Sequence, residues 1–268
     1  MLKKISPYNL IMLSFIGLIV VGALLLMMPF AHTPQKDISF LEALFTATSA
    51  VTVTGLSVID IGATFTIYGK LILLVLIQFG GLGVLTISSV LVLLIAKRIG
   101  FYTKKIVAEG LNHNKSYDIY AVAKRVVYIT LLFEATGALC LFISFIQEFP
   151  FGKALFFSVF HSVSAFCNAG VSLFPHSFEG YTYNVFVNII IAFLVIFGGL
   201  GFTTIIQSYE YLRKKRRRLD INSQFSILMT IILLVAGTFL FFILEYKNYH
   251  TLYGKSFFGQ SLLAFFTL

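Results

Sequence analysis

Five long apolar segments separated by polar connections set the pattern of this chain. They cover residues 10–30, 71–96, 126–146, 184–208 and 225–244. Each has roughly the 20 residues that a helix needs to cross the hydrocarbon core of a bilayer. Because lipid offers no hydrogen-bonding partner to an open backbone, each segment is predicted to be a membrane-spanning α-helix.

Three shorter apolar stretches lie beside these spans and are too short to cross a bilayer. They cover residues 38–50, 152–165 and 259–268. A single stretch of this kind is typical of an amphipathic surface helix. Three of them in the same place relative to the spans favour helices that enter the membrane and turn back.

The chain also repeats itself. Placing Gly55 over Gly170 aligns Ser49 with Ser164, and "FGGLGVLTI" at residue 79 recurs as "FGGLGFTTI" at residue 197. In a third copy of the repeat, "AFFT" at residue 264 aligns with "ALFT" at residue 43. The repeated unit is a span, a re-entrant helix, a small-residue loop and a second span.

This repeat predicts an all-α membrane protein with two complete units and an incomplete third. Transmembrane helix, re-entrant pore helix, filter loop and transmembrane helix follow one another in each complete unit. The predicted domains are residues 1–98, residues 99–212 with a basic cytoplasmic linker, and residues 213–268.

Composition and charge agree with this assignment. The chain is 58% hydrophobic and 12% charged, whereas a soluble domain carries about 25% charged residues. Its net charge of +9 comes largely from clusters that precede span one or follow spans two and four, such as "RKKRRR" at residue 213. Positive residues gather on the cytoplasmic side, so the N-terminus is predicted to be cytoplasmic and the clusters to face lipid headgroups rather than nucleic acid.

The two small-residue loops are the candidate ion site. A loop that leaves the helical ladder inside the bilayer must point its carbonyls at protein or at a water-filled path, and carbonyl oxygens can replace the water around a monovalent cation. The β-branched residues of "TVTG" resist helix, and Gly55 can take a positive φ, so an extended strand is predicted there. The predicted ligands are the carbonyls of Thr52, Val53, Thr54 and Gly55 in the first loop and of Cys167, Asn168, Ala169 and Gly170 in the second.

These loops, each followed by "FGGLG", resemble the potassium-translocating membrane subunits of the Trk/Ktr/HKT superfamily, and most of all the Ktr membrane subunit. The resemblance covers the whole chain. It implies a plasma-membrane, multi-pass subunit for potassium uptake, often with sodium as the coupling ion and with no organic cofactor. It also implies a homodimer gated by a cytosolic nucleotide-binding regulatory ring.

The ending departs from that family. Four units surround one pore in the family, whereas this chain stops at Leu268 inside its third short helix. The sequence therefore predicts a truncated chain with two filter strands. The alternative function is a non-conducting subunit that binds or helps to assemble intact subunits.

Other polar features carry alternatives. Glu134 within span three is a candidate functional acid or a partner for a neighbouring helix, and Gln78 and Asn188 are predicted to hydrogen-bond between helices. Asp60 and Glu179 either concentrate cations at the outer mouth or are solvated loop charges.

"FGGLG" is predicted to let helices pack closely behind the filter rather than to bind phosphate. Cys167 is predicted to face away from the pore, His161 is assigned no chemistry, and no arrangement of catalytic residues indicates an enzyme.

Overall fold

A computed structural model describes residues 7–34, 36–83, 119–214, 217–245 and Asn248. This part of the chain is helical, with a single isolated bridge between His32 and Phe65. The all-α prediction is confirmed. The helices are α1 (Pro7–Leu26), α2 (Phe40–Thr52), α3 (Ile61–Thr64), α4 (Ile67–Gly81), α5 (Ile119–Phe145), α6 (Phe151–Phe166), α7 (Val185–Gly199), α8 (Phe202–Leu212) and α9 (Ile221–Glu245), with a 3-10 turn at Glu179–Tyr181.

The chain divides into two compact units, Met1–Phe178 and Glu179–Leu268. In the first unit, α1 and α4 pack against α2, and α5 packs against α6. The two short helices, α2 and α6, therefore each lie beside longer apolar helices, as the repeat predicts. The finer domain boundaries at residues 98 and 212 stay predictions.

Two of the described helices are long and apolar enough to cross a membrane without interruption. They are Lys124–Phe145, which forms most of α5, and Ile221–Glu245, which is α9. The predicted span at residues 225–244 thus lies within α9, and most of the span at 126–146 lies within α5. Their largely apolar, exposed surfaces suit contact with lipid.

The predicted span at residues 184–208 is corrected by the structure, since it is two helices rather than one. α7 ends at Gly199, α8 begins at Phe202, and the pair is bent by 100°. Between them Gly201 has φ +81°, a conformation that residues with a Cβ rarely adopt. α4 ends in the same way at Gly81, and Gly83 has φ +76°. The third glycine of each "FGGLG" therefore ends a helix.

The first turn of α2 is fixed by a capping box. The Ser39 hydroxyl accepts from the Glu42 N–H at 3.3 Å, and the Glu42 carboxylate accepts from the Ser39 N–H at 2.9 Å. The hydrogen bonds from the Ser39 backbone and hydroxyl hold the pKa of Glu42 below its ordinary value. Because folding lowers this pKa, the ionised Glu42 stabilises the folded protein fully at neutral pH. That stabilisation is lost as the pH falls through the pKa of Glu42 in the folded protein.

A buried glutamine closes the turn between α8 and α9 in the second unit. The Gln207 amide donates to the Asp220 carboxylate at 2.8 Å and accepts from the Asp220 N–H at 3.1 Å. The Ser223 hydroxyl donates to the same glutamine oxygen at 3.0 Å. This network fixes the end of the basic segment relative to the start of α9.

Candidate functional site

Both short helices end in the same left-handed turn. After α2, Val53 has φ +58°, and the Thr54 N–H donates to Ser49 O at 3.0 Å. After α6, Asn168 has φ +57°, and the Ala169 N–H donates to Ser164 O at 2.7 Å. These are Schellman-type helix ends, and their residues match at the offset of the repeat.

The extended strands predicted from Thr52 and Cys167 onward are wrong at their first residues. Thr52 is the last residue of α2, and its hydroxyl donates to Thr48 O at 2.8 Å. Cys167 keeps a helical backbone, with φ −73° and ψ −4°. Helix capping extends each helix into the predicted strand, so the chain leaves the helix only at Val53 and Asn168.

The two loop glycines lie against each other. Gly55 has φ +76° and Gly170 has φ +64°, so the positive φ predicted for Gly55 is confirmed. A Cβ built on Gly55 would lie 2.9 Å from Ala169 O and 3.2 Å from the Gly170 Cα. Two segments that are 115 positions apart in the sequence thus form one backbone cluster, which we call the paired loops (residues 52–55 and 167–170).

Each loop is held by the serine that the repeat aligns. The buried Ser49 hydroxyl accepts from the Thr54 hydroxyl at 3.1 Å. The buried Ser164 hydroxyl donates to Val171 O at 2.6 Å and accepts from the Val171 N–H at 3.0 Å. Ser49 therefore braces the first loop, whereas the Thr48 hydroxyl donates to Leu44 O within its own helix.

We expect Ser164→Ala to destabilise the protein by about 1–3 kcal/mol, because it leaves a buried N–H and a buried carbonyl of Val171 unpaired. Thermal unfolding of the purified protein in detergent measures this effect. Ser208→Ala, on a half-buried serine of α8, is the control. Equal melting temperatures for the two variants would contradict a bracing role.

The structure gives His161 a role that the sequence did not indicate. It is buried in α6, and its Nε2 accepts from the Leu173 N–H at 3.1 Å, just beyond the second loop. Its ring stacks on Phe174 with centroids 4.6 Å apart and an interplanar angle of 9°. Since Nε2 accepts, Nδ1 carries the proton and donates to Phe157 O at 2.8 Å. A neutral His161 therefore braces the exit of the second loop, where the first repeat has Thr46.

The first "FGGLG" packs directly behind the paired loops. A methyl group added at Gly80 would overlap the carbonyl oxygen of Val51 in α2, and one added at Gly81 would overlap the side chain of Cys167. The predicted close packing of this motif behind the loops is confirmed for Gly80 and Gly81. The second motif lies in the other compact unit, and its packing behind the loops stays a prediction.

The remaining polar candidates divide between structural roles and open predictions. Gln78 donates its amide to the Glu134 carboxylate at 2.9 Å, which confirms it as an inter-helix hydrogen bonder. Asn188 instead donates to carbonyls just before its own helix, at Tyr181 and Thr182. Asp60 caps α3 through the Ala63 N–H at 3.0 Å. Its role in concentrating cations, and that of Glu179, stay predictions.

Several sequence predictions lie outside the described residues. They are the third short apolar stretch at 259–268, the basic residues at positions 3, 4, 97, 98, 104, 105 and 115, and the part of span two after residue 83. Among the residues that are described, no group of three or more His, Cys, Asp or Glu side chains is arranged to hold a metal ion.

Comparison with known proteins places this geometry in a family. The family model described as TrkH, cation transport protein, matches residues 5–250. Relatives include the Ktr system potassium uptake protein B of Vibrio alginolyticus, 38% identical over 96% of this chain and 56% of the relative, and that of Bacillus subtilis, 36% identical over 93% and 55%. The potassium/sodium uptake protein NtpJ of Enterococcus hirae is 34% identical over 98% and 58%.

A solved structure shows the same fold. The potassium transporter TrkH from Vibrio parahaemolyticus matches with a TM-score of 0.67 at 21% identity, over 99% of this chain and 50% of that chain. The chain spans about half the length of the relatives it matches. These relatives are transport proteins rather than enzymes, which confirms the prediction of a non-enzymatic, multi-pass membrane protein.

Proposed function

Since the chain belongs to the TrkH family of cation transport proteins, we propose that it forms part of a pore for potassium uptake. Main-chain carbonyl oxygens of the paired loops are the proposed ion ligands. The residues are Thr52, Val53, Thr54, Gly55, Cys167, Asn168, Ala169 and Gly170.

The observation that supports this proposal is the match between the two loops. They share their left-handed turns, serine braces and positive-φ glycines, and the glycines are in contact. The side chains at equivalent positions of the repeat differ, since Val53 aligns with Asn168 and Thr54 aligns with Ala169. A site that keeps its backbone while its side chains vary suits ligation by carbonyls, which are the groups that replace the hydration shell of a bare monovalent cation.

Potassium is proposed as the ion because relatives are potassium uptake proteins and one is a potassium/sodium uptake protein. Sodium is the proposed coupling ion. In the proposed topology the protein lies in the plasma membrane with its N-terminus in the cytoplasm, and the loops enter from the outside. The proposed partners are a second copy of the subunit and a cytosolic nucleotide-binding ring that contacts the basic linkers.

We expect the chain to restore growth at limiting potassium in a bacterial host that lacks its own potassium uptake systems. Rubidium uptake by the same cells measures transport directly, and the empty vector is the control. Membrane insertion is checked separately by extraction of the tagged protein. An inserted chain that leaves uptake at the vector level would contradict conduction by this chain alone.

The second candidate function is a non-conducting partner of intact Ktr-type subunits. The chain spans about half the length of each of these relatives. Co-purification with an intact relative, without uptake when expressed alone, supports this function. Uptake without any co-purification excludes it.

A further inference from the structure

A polar cluster lies behind the second loop, in the middle of an apolar helix. Glu134 of α5 is only 6% exposed, and its Oε1 accepts from the amide of Gln78 in α4 at 2.9 Å. An acidic side chain at this depth is costly to bury, so packing alone does not account for it. The side chains that contact its carboxylate, Gln78 and Cys167, are uncharged, and Cys167 belongs to the second loop.

The same carboxylate oxygen reaches the start of the second loop. The Cys167 thiol lies 3.9 Å from Glu134 Oε1 and donates a weak hydrogen bond to it. Gly81 of α4 also approaches Cys167 so closely that a Cβ at Gly81 would overlap the Cys167 side chain. Cys167 is therefore held between α4 and α5 by one polar and one steric contact.

The backbone of Glu134 holds the helix that delivers this loop. The fully buried Ser162 hydroxyl of α6 donates to Glu134 O at 2.7 Å. One residue of α5 thus contacts the short helix, the first residue of the loop and the neighbouring α4. At the equivalent position of the first loop, the Thr52 hydroxyl donates to Thr48 O, so this residue is held within α2 itself.

We propose that Glu134 is a positioning residue for ion selection. Its carboxylate, tied to Gln78, fixes Cys167 and so sets the direction of the carbonyls at residues 167–170. This inference rests on the proposed function of the paired loops. It adds a polar support from a neighbouring span at the first residue of the second loop, where the first loop has the Thr52 bond within α2.

The test uses Cys167 as its own reporter. The chain has two cysteines, so Cys140→Ala leaves Cys167 as the single thiol. Glu134→Ala, Glu134→Gln and the control Glu148→Gln, an exposed glutamate after α5, are made in this background. Two quantities are measured in membranes, the rate at which a small methanethiosulfonate reagent modifies Cys167 and the ratio of potassium to sodium uptake.

We expect Glu134→Ala to speed modification of Cys167 and to lower the potassium-to-sodium ratio, each by about tenfold, the upper end for the loss of a hydrogen bond that does not depend on charge. Glu134→Gln retains an oxygen that accepts from Gln78, so it should stay near the parent in both measurements, as should Glu148→Gln.

Three results would overturn the proposal. One is an unchanged labelling rate in Glu134→Ala, and another is an equal loss of uptake for both ions, which indicates a merely structural role. The third is a Glu134→Gln variant as impaired as Glu134→Ala, which assigns the effect to charge rather than to positioning. If the parent transports no ion, the proposed function fails, and the labelling rates alone then decide whether Glu134 positions Cys167.

Discussion

Valine at Gly55 should abolish potassium uptake, the largest effect expected of any substitution in this protein. Its Cβ would lie 2.9 Å from Ala169 O and 3.2 Å from the Gly170 Cα, so the clash is with backbone of the opposite loop rather than with a flexible side chain. The backbone at φ +76° adds about 1–2 kcal/mol of strain for any residue with a Cβ. The loops must then separate, and the carbonyls proposed as ligands lose their arrangement.

Gly152→Ala is the matched control for this prediction, because a Cβ at Gly152 in α6 meets no atom within 4 Å. Rubidium uptake is measured for both variants at equal amounts of membrane-inserted protein. Gly170→Val should behave as Gly55→Val does, since its Cβ would lie 3.1 Å from the Gly55 Cα. Full uptake by either valine variant would show that the paired loops are not the ion path.

The local geometry of the loops could be predicted largely from the sequence. Glycine is the residue that adopts positive φ without steric cost. A glycine that recurs at the same place in the repeat, between apolar spans, therefore predicts a positive φ there. Gly55 fulfils that prediction, and Gly170, which the repeat aligns with it, adopts the same positive φ and contacts it.

The errors arise where tertiary or capping interactions override a local preference. A β-branched valine disfavours the left-handed region, yet Val53 adopts it because the turn lets the Thr54 N–H reach a carbonyl of the last helical turn. The helix end within each "FGGLG" was not predicted because the motif has two uses. Its first two glycines permit close packing, which the sequence suggested, whereas its third ends the helix.

His161 illustrates a role without any local signal. A single histidine in an otherwise apolar helix is equally compatible with a core position and with a ligand. Its partner is the Leu173 N–H. This group can reach the His161 ring only because the second loop leaves the helix at Asn168 and returns past α6. That path is a property of the tertiary fold, so residue type and spacing alone did not indicate it.

The second largest effect is expected from Gly80→Ala, which should destabilise the protein by about 3 kcal/mol or more, the upper end of the cost of adding volume to a tightly packed contact. The added methyl group would overlap Val51 O and lie 3.1 Å from Ala50 O, both in the last turn of α2, directly before the first loop. Neither atom can move without displacing that helix, so uptake should fall together with the melting temperature.

Gly17→Ala separates this steric effect from the general effect of alanine in a helix. A Cβ at Gly17 in α1 meets nothing within 4 Å, and alanine favours helix over glycine, so this variant should be neutral or slightly stabilised. Thermal unfolding in detergent and rubidium uptake are measured side by side. The argument depends on the direction of the difference. If Gly80→Ala melts at or above the temperature of Gly17→Ala, then α4 does not support the first loop, and the close packing of "FGGLG" has no part in holding the proposed ion site.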